Sequence, residues 1–426
     1  MALYIDKIAQ TVPSDVKKLI SLLKDKGYEC VLVGGCVRDS LLGLTPHDWD
    51  MATSATPEEM QDVFADFRTV DAGLKHGTLT VIIDHEPYEI TTYRIDGQYE
   101  DFRRPKEVFF TRNLKDDIGR RDFTINSIAY DLDNGYYDFY DGMKDLESGV
   151  IRCVGNPHDR FNEDALRIIR AIRFACIYGF QIEKETVEAM IDCVSLLEHI
   201  AAERLQSEFS KILQSGRISE ICHSDYFEVL ETRFPFLQEL SNKEKTYNIV
   251  DDLGSLESSL AILFGDIIRD SRKYGMSQID TILRLDLRFP NAVIRKVENI
   301  IKCEKEICAY DVIMSKRLLS KYSFEEIESA ISCKLSRIFS ENYEEAVFER
   351  LNMKLFNLLS HVKTQKYIKD CYSLSRLCVD GNDIKDLGVP DEMIGKILNG
   401  LLDLVIRGQI RNDRIELLDS AKLTIL

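Results

Sequence analysis

No stretch of this chain is long and apolar enough to cross a bilayer. Its first residues, Met1-Ala-Leu-Tyr-Ile-Asp-Lys7, lack the basic and apolar regions of a signal peptide. No Cys-x-x-Cys pair occurs among the eleven scattered cysteines. Neither a zinc site nor a disulfide framework is therefore expected, and a reducing cytoplasm fits best. The seven histidines are too dispersed to build a metal phosphohydrolase from the pairs His47-Asp48 and His158-Asp159. Internal repeats and low-complexity tracts are absent. Positive charge is also short: 55 basic against 72 acidic side chains leave −17, which argues against a protein that coats nucleic acid. The deficit is uneven. Residues 1–180 carry 22 basic and 31 acidic side chains, residues 181–300 carry 14 and 21, and residues 301–426 carry 19 and 20. The last third repels a polyanion least, and an RNA partner would need local basic patches there and around an active site.

What is present is the composition of a soluble globular chain, 45% hydrophobic and 30% charged, and 426 residues suffice for two to four domains. The densest signal is Leu32 to Thr53. An apolar, β-branched run over Val31–Val33 predicts a strand, Gly34-Gly35 a tight turn, and Val37–Leu42 a helix. Glycines at such a turn let backbone N–H groups approach an anion, and Arg38 adds a full charge. Asp48-Trp49-Asp50 follows. On a strand, residues i and i+2 share a side, so two carboxylates would face one point and repel unless a hard divalent cation sits between them.

Ser14–Lys26 reads as an amphipathic helix capped by Ser14, and Pro57–Phe64 as a second one capped by Thr56. Leu79–Asp84 and Tyr88–Tyr93 predict strands joined through His85-Glu86-Pro87, with Glu89 placed to offer a third carboxylate. Residues 95–110 read as a long polar loop holding Arg103-Arg104-Pro105. Arg120, Arg121, Asp122 and Asn126 would supply phosphate and ribose contacts from one compact element. Tyr136–Tyr140 predicts a short strand. From Asn156 onward the period is helical, with one helix expected over Asp159–Tyr178. That helix would bury Ala165, Leu166, Ile168, Ile169 and Ile172 and turn Asp164, Arg167 and Arg170 to the opposite flank, leaving Arg173 further round. Toward the end, Gly395-Lys396 would receive a phosphate at a helix start.

Gly34-Gly35-Cys36-Val37-Arg38-Asp39 with Asp48-Trp49-Asp50 resembles the signature of the class II tRNA nucleotidyltransferase and bacterial poly(A) polymerase family. Arg120-Arg121-Asp122-Phe123-Thr124-Ile125-Asn126 has the spelling of that family's own motif. Glu163-Asp164-Ala165-Leu166-Arg167 resembles its amino-acid template, and Ala201–Phe209 and Leu387–Lys396 resemble further segments. The resemblance implies an α+β fold: a polymerase-β-like head with a small mixed sheet (1–150), then an all-helical neck (151–215), body (216–345) and tail (346–426), the tail binding tRNA. It implies a CCA-adding enzyme that builds or repairs the 3′ end of tRNA from CTP and ATP, releasing pyrophosphate. Asp48 and Asp50 would be catalytic and hold two Mg²⁺ ions, with Glu89 as a further ligand. Gly34, Gly35, Arg38, Arg120, Arg121, Asp122 and Asn126 would bind the nucleotide. Asp164 and Arg167 would read the base, and Glu163, Arg170 and Arg173 would lie toward nucleotide or RNA phosphates. A homodimer stays open, and no membrane partner is expected. An A-adding enzyme, a CC-adding enzyme or a poly(A) polymerase remains an alternative, although the full loop disfavours CC addition. A non-catalytic RNA-binding protein is the alternative of another class, disfavoured by the intact aspartates.

Overall fold

The computed structural model describes residues 8–96, 99–100, 104–105, 108–341, 343–368 and 370–425. The chain divides into two compact units, Met1–Ile212 with His223–Gln238, and Leu213–Cys222 with Glu239–Leu426.

The first unit opens with α1 (Ser14–Asp25), which buries Val16, Leu19, Ile20 and Leu23 along one stripe. Ser14 is its first helical residue and not its cap. Pro13 holds the N-cap position with no side-chain bond. Strand β1 (Cys30–Val33) is buried throughout and runs into α2 (Gly35–Leu41). Next come β2 (Met51–Thr53), α3 (Pro57–Val63), β3 (Arg68–Val70), β4 (Thr78–Ile83) and β5 (Glu86–Thr92). Thr56 caps α3, as the sequence predicts, and Glu59 closes a reciprocal capping box with it. The β4–β5 turn is shorter than expected. Asp84 and His85 both take positive φ (48° and 73°), so the strands join through two residues and Pro87 lies inside β5 opposite Ile82.

Residues 95–110 are not a featureless loop. β6 (Arg94–Asp96) pairs with β9 (Val108–Phe110), and β7 (Tyr99–Glu100) pairs with β8 (Arg104–Pro105), so paired backbone replaces the expected coil. Arg103 lies outside the described residues, as do residues 97–98, 101–102 and 106–107. After α4 (Leu114–Gly119), β10 (Ile128–Asp131) and β11 (Gly135–Asp138) complete a seven-stranded sheet of order β11-β10-β1-β2-β5-β4-β3. Among its described strands only β2 and β5 pair parallel, so the sheet is mixed. β1 thus sits mid-sheet and delivers Gly34 to its end.

Helix α5 (Gly142–Ser148) leads out of the sheet. The single helix predicted for Asp159–Tyr178 is two helices, α6 (Pro157–Glu163) and α7 (Leu166–Tyr178). Asp164 breaks them with extended backbone (φ −143°, ψ 100°), and its carboxylate accepts the Leu166 N–H at 3.1 Å. A short acidic side chain that bonds its own backbone two residues on competes with the helix ladder, and here it wins. The apolar residues of α7 are buried as expected. α8 (Ala202–Leu213) follows.

The second unit is helical. Its helix Leu256–Asp270 is largely buried. There Arg337 bridges Asp266 and Glu304, and Thr246 donates to Asp266 at 2.8 Å. A separate core around Ile384, Leu401, Leu417 and Ala421 holds the C-terminal helices. The helix there runs Asp391–Ile406, so Gly395 and Lys396 lie within it and not at its start. Asp391 and Glu392 occupy its first turn. Two carboxylates at the helix's positive end repel the phosphate that the sequence suggests. Among the described residues no helix is long and apolar enough to cross a membrane.

Candidate active site

One cavity of about 930 Å³ in the first unit gathers almost every residue singled out in the sequence. Gly34, Gly35, Arg38, Asp48, Asp50, Arg120, Arg121, Asp122, Asn126, Asp164, Arg167, Arg170 and Arg173 line it. Glu89 and Glu163 do not.

Gly34 takes φ +74°, and a Cβ on it would stand 3.1 Å from the Arg121 guanidinium, so both the turn and the close approach call for glycine. Arg38 is 7% exposed. Its guanidinium donates to Asp39 Oδ1 (2.9 and 2.8 Å) and to Asn126 Oδ1 (2.5 Å), and it stacks on Phe174 (5.2 Å) and Tyr178 (4.9 Å). The Tyr178 hydroxyl in turn donates to Asp39 at 3.0 Å.

Asp48 and Asp50 lie just before β2 and not within it, because the ladder begins at Met51. The alternation survives: both aspartates line the cavity and Trp49 does not. Burial, with repulsion from Asp48 and Glu89 against some relief from Arg121, pushes the Asp50 carboxyl up to about 6. Glu89 acts through space. Met51 pairs with Ile90, so Glu89 neighbours Asp50 across the sheet. Yet no group of three or more His, Cys, Asp or Glu side chains among the described residues is arranged to hold a metal ion. Two crowded carboxylates still fit Mg²⁺, which takes one or two from protein and completes its shell from water and substrate phosphates.

This crowding has a measurable consequence. A carboxyl whose folded pKa is raised from 3.8 to about 6 contributes stability below pH 3.8 that is lost as pH rises through 6. At pH 8 without divalent metal, Asp50→Asn should therefore melt higher than wild type by about 2–5 °C. Added Mg²⁺ should shrink the gap by stabilising wild type alone. A variant that melts lower in chelator would show that the pair is not strained.

Arg120 and Arg121 both hold Asp117 (2.8 and 3.3 Å), a carboxylate 1% exposed that the sequence reading passed over. The signal was there, an Asp three and four residues before two arginines. Asp122 accepts from Arg170 (2.9 and 2.6 Å), Asn126 (2.9 Å) and the Phe123 N–H (2.9 Å). Burial pushes its carboxyl up, but Arg170, Asn126 and Arg167 outweigh that and hold it well below the usual range.

Asp164 and Arg167 do not pair with each other. Arg204 grips Asp164 (3.2 and 2.7 Å), whereas Arg167 donates to Glu163 (2.6 Å) and to the Arg120 carbonyl (2.9 Å). Glu163 thus pairs with both Arg160 and Arg167 and does not itself line the cavity. Arg173 lies 2.9 Å from Glu208. Arg204 and Glu208 were also missed. They stand four apart on α8, a spacing seen on many helices, and only the fold brings Arg204 to the cavity and Glu208 to Arg173.

Residues 30–152 match the family described as Poly A polymerase head domain, and residues 179–239 match the one described as Probable RNA and SrmB-binding site of polymerase A. The chain is 33% identical to the CCA-adding enzyme of Ligilactobacillus salivarius, covering 97% of this chain and 98% of that protein. It is also 33% identical to the CCA-adding enzyme of Limosilactobacillus fermentum, with the same coverage. Among solved structures, the Bacillus stearothermophilus CCA-adding enzyme in complex with CTP superposes with a TM-score of 0.73 at 26% identity, over 96% of each chain.

Proposed function

The chain belongs to the CCA-adding enzyme family, and from that premise we propose that it adds or repairs the 3′-terminal CCA of tRNA from CTP and ATP, releasing pyrophosphate. The observation that carries this reading is that one cavity is lined by the glycine turn, Asp48, Asp50, Asp164 and Arg167 together. We assign residues 1–150 to a catalytic head, 151–215 to a base-reading neck, 216–345 to a body and 346–426 to a tRNA-binding tail. The cytoplasm is the assigned compartment.

Asp48 and Asp50 would hold divalent metal, assigned as two Mg²⁺ ions, which would supply Lewis-acid activation of the RNA 3′-hydroxyl and neutralisation of the triphosphate. Gly34 and Gly35 leave room for the phosphates. Arg120 and Arg121, fixed by Asp117, present donors to them without having to reorganise. Asp122 and Arg170 brace Asn126 and α7 against each other, which keeps the base readers in register with the head.

The test is incorporation of labelled CTP and ATP, with Mg²⁺, into tRNA lacking its last three nucleotides. Addition of C, C and A in order is expected. Incorporation of A alone, and only onto tRNA already ending in CC, would replace the reading with an A-adding enzyme. A further outcome concerns the segment bracketed by β6 and β9. Replacing residues 97–107 with a short glycine turn should leave CC addition largely intact and stop synthesis before the terminal A. Product length on a sequencing gel reads this directly, and equal loss of C and A addition would contradict it.

A further inference from the structure

The cavity is rich in arginine, and six carboxylates hold its seven arginines. Arg38 has Asp39, Arg120 and Arg121 share Asp117, Arg167 has Glu163, Arg170 has Asp122, Arg173 has Glu208 and Arg204 has Asp164. Lys211 also lines the cavity, is exposed, and forms no ion pair among the described residues. Among those residues it is the one cation of the cavity whose charge no carboxylate there offsets.

Its position says which part of a ligand it meets. On α8, Arg204, Glu208 and Lys211 share a face at i, i+4 and i+7. Arg204 marks the base-reading end, since it grips Asp164. Glu208 pairs with Arg173, which stacks on Phe174 at 4.3 Å, and Arg38 lies over the same ring at 5.2 Å. The face therefore runs from the base readers toward Arg38 and the glycine turn. Lys211 stands beyond Glu208, about 10 Å of helix from Arg204. That separation is comparable with the length of an extended nucleoside triphosphate.

We propose that Lys211 binds the terminal phosphates of the incoming nucleoside triphosphate, as the cation of the cavity that no carboxylate among the described residues holds. A lysine suits this role because a flexible point charge follows the leaving pyrophosphate, whereas the paired arginines are fixed in place. The contact is blind to the base and so serves CTP and ATP alike. The assignment rests on the nucleotidyltransferase reading of the same cavity.

The test is steady-state kinetics of Lys211→Met and Lys211→Arg beside wild type, with inorganic pyrophosphate as the inhibitor. For Lys211→Met, KM should rise by about 5- to 20-fold for CTP and for ATP by the same factor. The inhibition constant of pyrophosphate should rise in step, while KM for tRNA and the choice among the four bases stay unchanged. Lys211→Arg should recover most of the loss. A rise in KM for tRNA with CTP and ATP unaffected would overturn the proposal in favour of an RNA backbone contact. No change in any constant would reduce Lys211 to a solvated side chain. Wild-type protein that incorporates no nucleotide would instead overturn the enzymatic reading itself, a result distinct from both.

Discussion

Asp48→Ala and Asp50→Ala should each lower the incorporation of C and of A by at least about 10³-fold, which corresponds to roughly 4 kcal/mol of transition-state stabilisation. The fold should survive. Asp48 is exposed, and Asp50 is a partly buried carboxylate that already costs stability when charged, so removing either side chain relieves repulsion instead of breaking a bond. Both nucleotides should suffer equally, since the role proposed for the aspartates is at the phosphates that CTP and ATP share. Rapid-quench assays with each nucleotide, beside circular dichroism and melting curves, separate lost chemistry from lost structure. More than a few per cent of wild-type rate in either variant would defeat the metal assignment.

The second large effect is on base choice. Cytosine and adenine both present an amino donor beside a ring-nitrogen acceptor, which a carboxylate and a guanidinium satisfy together. Uracil and guanine reverse the pattern and would leave Asp164 facing a carbonyl and Arg167 facing an N–H. Each unpaired group in a closed pocket costs about 1–3 kcal/mol. Asp164→Ala or Arg167→Ala should therefore slow addition and let UTP or GTP compete about 10- to 100-fold better. The structure sharpens the expectation. Asp164 and Arg167 are anchored separately, to Arg204 and to Glu163, and are not neutralised by each other. Asp164 Oδ2 carries one bond, to Arg204, and keeps a lone pair for an amino group. Competition assays that pair CTP with UTP and ATP with GTP give the ratio directly. Wild-type selectivity in both variants would remove the template and leave the phosphate chemistry standing.

Most of the residues that line the cavity were legible in the sequence because they cluster locally. Gly34-Gly35 and Asp48-Trp49-Asp50 report their geometry through spacing alone: two glycines after a buried strand make a turn, and i, i+2 aspartates share a side even though the ladder starts one residue later. The capping box of Thr56 and Glu59 and the buried stripe of α1 are equally local, set by backbone hydrogen bonds and periodicity within one turn or two. The same local reading misled at Asp164. The apolar period runs through it unbroken, yet its carboxylate bonds the chain's own Leu166 N–H and splits the helix. It misled again over residues 95–110, where a polar composition conceals strand pairing.

What tertiary structure alone decided is the pairing of charges across the chain. Nothing at the level of composition assigns Asp164 to Arg204, forty residues on, or Asp122 to Arg170, because every one of these ions would be equally content in water on an exposed helix. Folding removes that freedom. Once β1, the turn after α4, α7 and α8 converge on one cavity, a buried charge without a partner is too costly to keep, and each arginine takes the acid that the fold puts within reach. The sequence by itself determined which residues were candidates for binding a nucleotide and reading its base. The packed fold decided which of them are held by carboxylates, and it brought to the same cavity Lys211, which no motif singled out and which forms no ion pair among the described residues.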